Sequence, residues 1–469
     1  MGIKQWNAGI IRPVAVPPTG PYQDGVASGV WTMDQVAFWN KQGLWPTAGN
    51  TRYWISTLGN PPGEAFGYGI ALDSSGNIFT CGFGYDGTGD NRIVLAKYNN
   101  SGNLQWQRTL NSTITDTDQS YALATDTSGN VYVVGYAAVS GGGVYDLFIA
   151  KYNTSGTIQW QRKLAAGSSS YEVAYGVATD SSDNVYVTGF TGVSNSEELL
   201  IVKYNSSGTI QWQRKLSGAS SDYGYAIATD SSSNVYAVGT TDVSGNYDLQ
   251  IVKYNSSGTI QWQRKLVGTG SSAEVGRGIA VDSSGNVYIC GQTDSGISTS
   301  DILVAKYDTS GAIQWQRRLG SSTNDDVGNS IAVDSSGNVY ICGDTDTPVG
   351  IQIAKYNTSG TLQWQRSLNY TSVSSRGRGI AVDTSGNFYI SGQTYQGGAG
   401  RFITAKLPTD GTMTGTYGGF IYASSSLTGA TPTLTSSASS LTDSSTSLTG
   451  STPTLEDAAG PFTAAKIAV

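Results

Sequence analysis

The stretch Asp282-Ser283-Ser284-Gly285-Asn286-Val287-Tyr288 is the most informative part of this chain of 469 residues. Seven copies of it occur, at a spacing of about 51 residues. A fixed spacing in this range indicates a repeat architecture, in which each repeat forms one unit that packs on its neighbours. The leading aspartates of the seven copies are Asp73, Asp126, Asp180, Asp230, Asp282, Asp334 and Asp383.

A second phrase, typified by Ile-Gln-Trp-Gln-Arg, follows every copy except the last. Its tryptophans are Trp106, Trp160, Trp212, Trp262, Trp315 and Trp364. The remaining tryptophan of the series stands before the first copy, as Trp54, whereas Gly415 occupies the place expected after the last copy. An element that is missing at one end of a repeat array and present at the other predicts that the array closes into a ring.

Each repeat contains four short stretches rich in β-branched and aromatic residues, all too short for a helix. In the third repeat they cover residues 175–180, 184–189, 199–204 and 209–216. The Asn- and Gly-containing segments between them are typical of hairpin turns, because these residues tolerate positive φ. Four antiparallel strands in each of seven repeats predict an all-β protein, a seven-bladed β-propeller over residues 51–422.

The strand that carries Trp54 is expected to complete the seventh blade, whose third strand covers residues 402–406. Closing the ring in this way removes two open sheet edges. The alternative is that the segment from Tyr417 to Tyr422 forms this outer strand. The seven tryptophans are expected to pack between neighbouring blades, where burial of roughly 200 Å² contributes at most about 5 kcal/mol each. Stacking of ligands on these rings is the alternative interpretation.

Composition limits the possible functions. The sequence has no histidine, which excludes Ser-His-Asp and Cys-His catalysis. Its net charge of −7 disfavours a nucleic-acid-binding surface. Cys81, Cys290 and Cys342 occupy equivalent strand positions and are expected to be small buried residues without disulfides. The N-terminus lacks an apolar signal region, so we expect assembly in the cytoplasm without membrane insertion.

No motif in the sequence predicts a metal site, a cofactor site or a catalytic group. Each repeated aspartate supplies one carboxylate, which is too few hard ligands for Ca²⁺, and aspartate commonly accepts backbone N–H hydrogen bonds in such turns. We therefore expect a protein that is not an enzyme. A glycosidase with paired carboxylates, which sequence alone does not locate, is the alternative.

Residues 1–50 do not match the repeat. They begin with a proline-rich arm, and a capping box predicts a short helix from residue 32 to about residue 42. Their aromatic side chains predict docking onto another protein, with packing on the propeller as the alternative. The candidate docking residues are Trp31, Val36, Trp39 and Trp45.

Residues 423–469 are rich in serine and threonine, with a leucine at every seventh position. These leucines are Leu427, Leu434, Leu441, Leu448 and Leu455. A seven-residue period suggests a coiled coil, but Pro432, Pro453 and the single apolar residue per heptad oppose it. A β-rich or extended stalk or clasp against a partner chain is therefore expected.

Two turns of each repeat barely change between copies, and hairpin geometry places both on one face of the ring, here called the constant face. The other two connections vary and lie on the opposite face, here called the variable face. Aromatic, acidic and amide side chains there suit stacking on sugars and hydrogen bonding to their hydroxyls. The candidate ligand- or host-binding residues are Tyr85, Asp86, Tyr145, Tyr171, Glu172, Glu197, Asp222, Tyr223, Tyr247, Asp325 and Tyr395. Other residues of this face are Asp90, Tyr136, Asn195, Glu198, Tyr225, Asp242, Asn246 and Asp326.

Residues 52–410 resemble the bacterial and phage β-propeller repeats with the pattern Asp-x-x-Gly-Asn-x-Tyr, a family with no single activity. Residues 27–46 are similar to segments in structural proteins of phages that infect marine bacteria and cyanobacteria. The C-terminal tail resembles Ser/Thr/Leu repeats of such virion proteins. Together these resemblances imply a virion structural protein, such as a tail fibre or similar appendage. The side chains of the variable face add the expectation that its propeller binds a host surface glycan.

Two alternatives stand beside this interpretation. The first is an architectural capsid, neck or baseplate protein that binds only viral neighbours, and the second is a bacterial carbohydrate-binding or hydrolytic propeller. Under the virion interpretation, the expected partners are other virion proteins through both ends, host surface polysaccharide, and further copies of the chain, with a trimer favoured. No nucleic-acid partner and no cofactor are expected.

Overall fold

The computed structural model describes residues 53–468 with short gaps. The gaps are 60–63, 86–90, 113–116, 141–143, 168–169, 194, 219, 244, 269–272, 295–298, 322–323, 347–348, 372, 397, 412–413, 418–419, 426–427, 431–434, 439–441, 446–448, 452–455 and 460–462. The predicted docking arm, with Trp31, Val36, Trp39 and Trp45, lies outside the described residues, as does Asp86. Every regular element in the described residues is a β-strand. The described part of the chain therefore contains no helix long and apolar enough to cross a membrane.

The strands form seven antiparallel sheets, one for each blade of a propeller. The chain begins with β1 (Trp54–Gly59), which belongs to the seventh blade. The first blade comprises β2 (Ala65–Leu72), β3 (Ile78–Tyr85), β4 (Asn91–Tyr98) and β5 (Leu104–Asn111). The second comprises β6 (Gln119–Thr125), β7 (Val131–Ser140), β8 (Val144–Tyr152) and β9 (Ile158–Ala165). The third comprises β10 (Tyr171–Thr179), β11 (Val185–Val193), β12 (Ser196–Tyr204) and β13 (Ile210–Ser217).

The remaining blades repeat this order. The fourth comprises β14 (Asp222–Thr229), β15 (Val235–Val243), β16 (Asn246–Tyr254) and β17 (Ile260–Val267). The fifth comprises β18 (Val275–Val281), β19 (Val287–Asp294), β20 (Ser300–Tyr307) and β21 (Ile313–Gly320). The sixth comprises β22 (Asp326–Val333), β23 (Val339–Asp346), β24 (Val349–Tyr356) and β25 (Leu362–Tyr370). The seventh comprises β26 (Ser375–Val382), β27 (Asn387–Gln396), β28 (Ala399–Pro408) and β1. The predicted seven-bladed propeller of four-stranded blades is confirmed.

The apolar core lies between neighbouring blades. The second and third strands of a blade, such as β3 and β4, are buried along almost their whole length, because each blade is covered on both sides. Their side chains form seven clusters, one at each blade interface; Phe79 of blade one, for example, packs with Phe148 of blade two. The cysteines are free and fully buried in these clusters, as predicted: Cys81, Cys290 and Cys342.

The N-terminal strand closes the ring as predicted. β1 pairs antiparallel with β28, with Trp54 opposite Lys406. The alternative, in which residues 417–422 form this outer strand, is wrong. The described residues of this segment belong to β29 (Gly415–Tyr417) and β30 (Phe420–Ser424), which pair antiparallel, and β30 extends the sixth blade by pairing with β25.

One contact recurs at every blade interface and explains the tryptophan repeat. Trp160 Nε1 of blade two donates a hydrogen bond of 3.1 Å to the Ser206 carbonyl of blade three. Arg162 Nε of the same strand donates to the Gly208 carbonyl at 3.0 Å. Each of the other tryptophans also donates to a turn of the next blade. The predicted packing of these residues between blades is confirmed.

The repeated aspartate holds the first hairpin turn of its blade. Asp282 Oδ1 accepts backbone N–H hydrogen bonds from Ser284 and Asn286, both at 2.9 Å. Its Oδ2 accepts from the Asn286 side chain at 2.8 Å and from the Tyr288 hydroxyl at 3.0 Å. Because four donors occupy this carboxylate, its role is structural, in agreement with the prediction.

The C-terminal tail forms a belt around the outer rim of the propeller. The belt consists of β30 and six further strands: β31 (Thr428–Ala430), β32 (Thr435–Ala438), β33 (Thr442–Ser445), β34 (Thr449–Ser451), β35 (Glu456–Ala459) and β36 (Thr463–Ala468). Each pairs antiparallel with the outermost strand of one blade, in the order six, five, four, three, two, one, seven. The tail was expected to be a stalk or a clasp against a partner chain; its described strands instead clasp the blades of the same chain.

The seven-residue period of the tail corresponds to the spacing of adjacent blades, because tail residues seven positions apart pair with equivalent residues of neighbouring blades. Thr428 pairs with Gly320, and Thr435 pairs with Val267. Both partners stand five residues after the tryptophan of their blade, and the same register recurs on the other blades. At the end of the belt, β36 pairs with the free edge of β1. The strand that closes the ring is therefore an inner strand of its sheet.

Candidate functional site

The innermost strand of each blade carries a β-bulge, and the bulged residue faces the propeller axis. This residue stands five positions before the repeated aspartate. The seven bulged residues are Tyr68, Tyr121, Tyr175, Tyr225, Arg277, Asn329 and Arg378. We call them the axial ring, because all seven line one cavity of about 170 Å³, the axial cavity. The ring differs between blades, whereas the turns around it do not.

Four members of the axial ring are tyrosines from consecutive blades. Their ring centroids are 5.3 Å apart between Tyr68 and Tyr121, 5.0 Å between Tyr121 and Tyr175, and 5.3 Å between Tyr175 and Tyr225. Burial raises the pKa of all four hydroxyls, so they remain protonated and able to donate hydrogen bonds at neutral pH. These tyrosines form a continuous aromatic wall on one side of the cavity.

The opposite side is formed by two arginines and an amide. Arg277 donates to Gln292 Oε1 through Nε at 3.3 Å and Nη2 at 3.1 Å. Arg378 Nη1 lies 3.5 Å from Asp344 Oδ2, which also accepts a 3.0 Å hydrogen bond from Asn329 Nδ2. Burial raises the pKa of Asp344 and lowers that of Arg277. The guanidinium nevertheless remains charged at neutral pH because its ordinary pKa is so high.

The arginines also contact the two ends of the tyrosine wall. Arg277 lies 5.9 Å from the centre of the Tyr225 ring, and Arg378 lies 5.7 Å from the centre of the Tyr68 ring. Such contacts are attractive because the face of an aromatic ring is electron-rich. The axial cavity is thus enclosed by aromatic and cationic side chains, with Asn329 between the two arginines.

An apolar layer forms the floor of the cavity, on the side toward the constant face. It is built from the residues two positions after each bulged residue. The members that line the cavity are Ile70, Leu123, Val177, Ile227, Ile279 and Ile331. Because the inner strands run from the variable face to the constant face, the polar and aromatic ring lies nearer the variable face than this floor does.

A row of tyrosines leads from the axial ring outward over the variable face. The Tyr136 ring lies 5.9 Å from Tyr121, the Tyr145 ring 4.6 Å from Tyr136, and the Tyr171 ring 6.4 Å from Tyr145. All of them are partly exposed. We call Tyr136, Tyr145 and Tyr171 the tyrosine row.

Two more aromatic connections reach the axial ring from this face. Tyr223 stacks 6.1 Å from Tyr225. The Tyr395 ring lies 6.2 Å from the Phe66 ring. Phe66 contacts Phe83, and Phe83 in turn stacks on Tyr68 of the axial ring. Four residues expected from the sequence to contact a ligand therefore join one aromatic surface: Tyr145, Tyr171, Tyr223 and Tyr395.

The structure removes two acidic residues from the predicted binding set. Glu172 and Asp222 are fully buried. Glu172 Oε1 accepts a 2.9 Å hydrogen bond from Thr191, and Asp222 Oδ2 accepts the backbone N–H of Gly218. The equivalent Glu274 bonds the N–H of Gly268 at 2.7 Å. These carboxylates anchor the loops that enter blades three, four and five, so they do not face a ligand in solution.

The other predicted residues of the variable face do not line the axial cavity. Tyr247 is 41% exposed, and Asp325 is exposed with its carboxylate accepting the Ser300 N–H at 2.7 Å. Glu197 accepts a hydrogen bond from the Ser221 hydroxyl, and Tyr85 is half-buried at the end of β3. Ligand contact by these residues stays a prediction.

Of the axial ring, only Tyr225 was among the residues expected on the variable face, because those expectations followed the loops rather than the inner strands. A signal was present: the residue five positions before the repeated aspartate reads Tyr, Tyr, Tyr, Tyr, Arg, Asn, Arg, among neighbours that repeat closely. A wider groove of about 680 Å³ lies at the outer rim beside Trp315 and Ser359. Its walls are mostly residues of the Ile-Gln-Trp-Gln-Arg phrase and of the hairpin turns, which recur in the other blades. Among the described residues, no cluster of three or more His, Cys, Asp or Glu is arranged to hold a metal ion.

Comparison with protein families supports the repeat architecture. Residues 54–82, 211–248, 261–297 and 314–348 match SBBP, described as a beta-propeller repeat. Residues 127–158 match a beta-propeller domain of unknown function, DUF5122. A curated relative is 32% identical over 127 residues: an uncharacterized WD repeat-containing protein of Acanthamoeba polyphaga mimivirus. The match covers 22% of this chain and only 9% of that relative.

Solved structures with a similar fold have little sequence in common with this chain. Sqt1 of Chaetomium thermophilum is 11% identical with a TM-score of 0.43, and the match covers 74% of this chain and 95% of Sqt1. The polysaccharide lyase Uly1 is 11% identical with a TM-score of 0.46, covering 73% of this chain and 90% of the lyase. An α-L-arabinofuranosidase of Fusarium graminearum is 8% identical with a TM-score of 0.41, covering 76% and 98%. The repeat matches and the seven blades together make this chain a β-propeller repeat protein.

Proposed function

We propose that this chain is a structural protein of a phage virion, part of a tail fibre or similar appendage, and that its variable face binds a glycan on the host surface without catalysis. The observation that carries the binding proposal is the aromatic surface that joins the tyrosine row to the axial ring. Aromatic faces stack on the apolar faces of sugar rings, and neighbouring tyrosine hydroxyls pair with sugar hydroxyls. The virion assignment rests on the sequence resemblance of residues 27–46 and of the tail.

The position of this surface supports binding of an external ligand. The constant face is occupied by turns whose side chains bond within and between blades, as in the contacts of Asp282 and Trp160. The belt covers part of each outer strand, so those edge segments are already paired within the chain. Tyr136, Tyr145 and Tyr171, in contrast, keep partly exposed rings on the face whose loops differ between blades.

Binding is tested with the full chain and immobilised host-surface polysaccharide or lipopolysaccharide. Replacing Tyr145→Ala removes the middle ring of the row and is expected to weaken binding roughly 5- to 10-fold. The matched control is Val193→Ala, because Val193 is 51% exposed on the variable face but is not aromatic. Equal binding by wild type and the Tyr145 variant, or no binding at all, would overturn the glycan proposal and favour the architectural alternative.

The virion assignment needs a separate measurement. Gold-labelled antibody against the propeller, imaged on purified phage particles, is expected to mark an appendage. Labelling confined to the capsid shell, or no labelling of particles that infect normally, would contradict it. Turnover of an aryl-glycoside panel by the purified chain would contradict the non-catalytic role.

A further inference from the structure

The axial cavity contains positive charge that its own walls do not balance. Arg277 and Arg378 both face the cavity, and Asp344, which lies 3.5 Å from Arg378 and also attracts Arg277, supplies one negative charge for these two positive charges. Among the described residues, no carboxylate lies within 4.0 Å of the Arg277 guanidinium, which donates hydrogen bonds to the neutral Gln292 amide oxygen. A cation removed from bulk water without an anionic partner attracts an anion strongly.

The remainder of the cavity suits a ring that carries this anion. The tyrosine wall supplies aromatic surface on the side of the cavity opposite the arginines, and the floor is aliphatic. A volume of about 170 Å³ is below the roughly 300–1,000 Å³ of pockets for drug-sized ligands, so the cavity accommodates a single small ring. A free inorganic anion would leave the aromatic wall without a partner.

We propose that the axial cavity binds one acidic sugar residue, with its carboxylate at Arg277 and Arg378 and its ring against the tyrosine wall. This inference rests on the proposed glycan-binding function and specifies it: the recognised glycan contains uronic acid or a similar carboxylate-bearing sugar. Guanidinium groups suit this task because they stay charged and present several donors to a carboxylate. The tyrosine row then contacts neighbouring sugars of the same glycan.

The test is calorimetric titration of the full chain with glucuronate, glucose and acetate. Glucuronate is expected to bind at least tenfold more tightly than either of the others, since only it presents both the carboxylate and the ring. Arg277→Gln should weaken glucuronate binding at least tenfold. Lys163→Gln, which removes one positive charge from the outer strand of blade two, should leave the affinity unchanged.

The outcomes separate this inference from the broader proposal. Equal affinity for glucose and glucuronate, or unchanged glucuronate binding by the Arg277 variant with a normal melting temperature, overturns the acidic-sugar site. Acetate binding as tightly as glucuronate overturns the recognition of a sugar and leaves an anion site only.

If polysaccharide binding depends on Tyr145 while glucuronate fails to bind, this inference fails and the glycan proposal stands. Glucuronate binding without polysaccharide binding supports the cavity site and overturns the variable-face proposal. If Arg277→Gln fails to fold, the ordering of the three ligands on the wild-type chain decides.

Discussion

The indole Nε1 of Trp54 donates a hydrogen bond of 3.1 Å to the backbone oxygen of Asn100. Trp54 belongs to the strand that completes the seventh blade, and Asn100 belongs to a turn of the first blade. The contact that joins blades everywhere else in the ring therefore also joins its two ends. The Trp54 ring is fully buried, 6.0 Å from the Tyr98 ring, whereas the other tryptophans of the series are partly exposed.

This difference predicts unequal effects of two equivalent substitutions. Trp54→Ala should lower the melting temperature more than Trp212→Ala, because full burial of an indole contributes up to about 5 kcal/mol and partial burial contributes less. Both variants should melt below the wild type when followed by circular dichroism. A Trp212 variant that melts like the wild type would contradict the packing role, and a smaller effect at Trp54 would contradict the closure argument.

The turn glycine under each tryptophan predicts a second effect. Gly208 has φ of +77°, and an added Cβ would lie 2.9 Å from the Trp160 ring. Gly208→Ala therefore combines backbone strain of about 1–2 kcal/mol with a steric overlap. Gly245→Ala is the matched control, since Gly245 has φ of +89° but no atom within 4 Å of an added Cβ. Denaturant melts should show the larger loss of stability at Gly208; equal losses would mean that the overlap has no energetic consequence.

The belt predicts a graded response to truncation. Deleting residues 426–469 removes β31 to β36 and should speed hydrogen exchange of backbone amides at 214–217, which pair with β33. Residues 210–213 of the same strand have no pairing with the belt and provide an internal reference. The exposed edges should also promote self-association, measurable by light scattering. Deleting only 461–469 should affect β1 alone, and unchanged exchange in both truncations would contradict the belt.

The two kinds of buried carboxylate predict opposite responses to pH. Burial tends to raise the pKa of Asp180, but hydrogen bonds from Asn184, Tyr186 and Ser182 outweigh it and lower the pKa. Asp180 thus contributes stability above its unfolded pKa of about 3.9, and this contribution is lost as the pH falls through the folded pKa. The stability advantage of wild type over Asp180→Asn should therefore shrink between pH 7 and pH 3.

Glu172 provides the opposite sign. Burial raises its pKa, so the stability that it contributes is present below its unfolded pKa and is lost as the pH rises through the folded pKa. Relative to Glu172→Gln, the wild type should become less stable between pH 3 and pH 7. Urea unfolding of the wild type and both variants at pH 3 and pH 7 measures these stability differences. If the stability of the wild type relative to both variants changed in the same direction with pH, these assignments would be contradicted.

Much of the fold followed from local patterns. The 51-residue spacing, the turn chemistry of Asp282 and Asn286, and the offset of Trp54 predict seven blades and their closure, because hairpins form between neighbouring stretches of chain. The seven-residue period of the tail was also visible, but its meaning was not. Leu427 and its equivalents suggested a heptad, but the prolines opposed a helix, and a β-rich or extended stalk or clasp was expected without a meaning for the period. The period equals the distance between outer strands of adjacent blades, a length that exists only in the folded ring.

The candidate site divides in the same way. Tyr145 and Tyr223 were expected on the variable face from the positions of the loops, and the structure joins them to one aromatic surface. Glu172 and Asp222 have the same loop-edge positions, yet they are buried, because the direction of a side chain at a strand entry depends on the neighbouring loop.

The sequence by itself determined the repeat, the strand order within each blade and the strand that closes the ring, since these depend on residues close in the chain or on a count of copies. Only the tertiary structure decided that Tyr68, Arg277 and Arg378 share one cavity. They lie on different blades, and a bulge in each inner strand directs all three to an axis that no single repeat contains. The same holds for the belt, whose strands find their partners only after seven blades have closed.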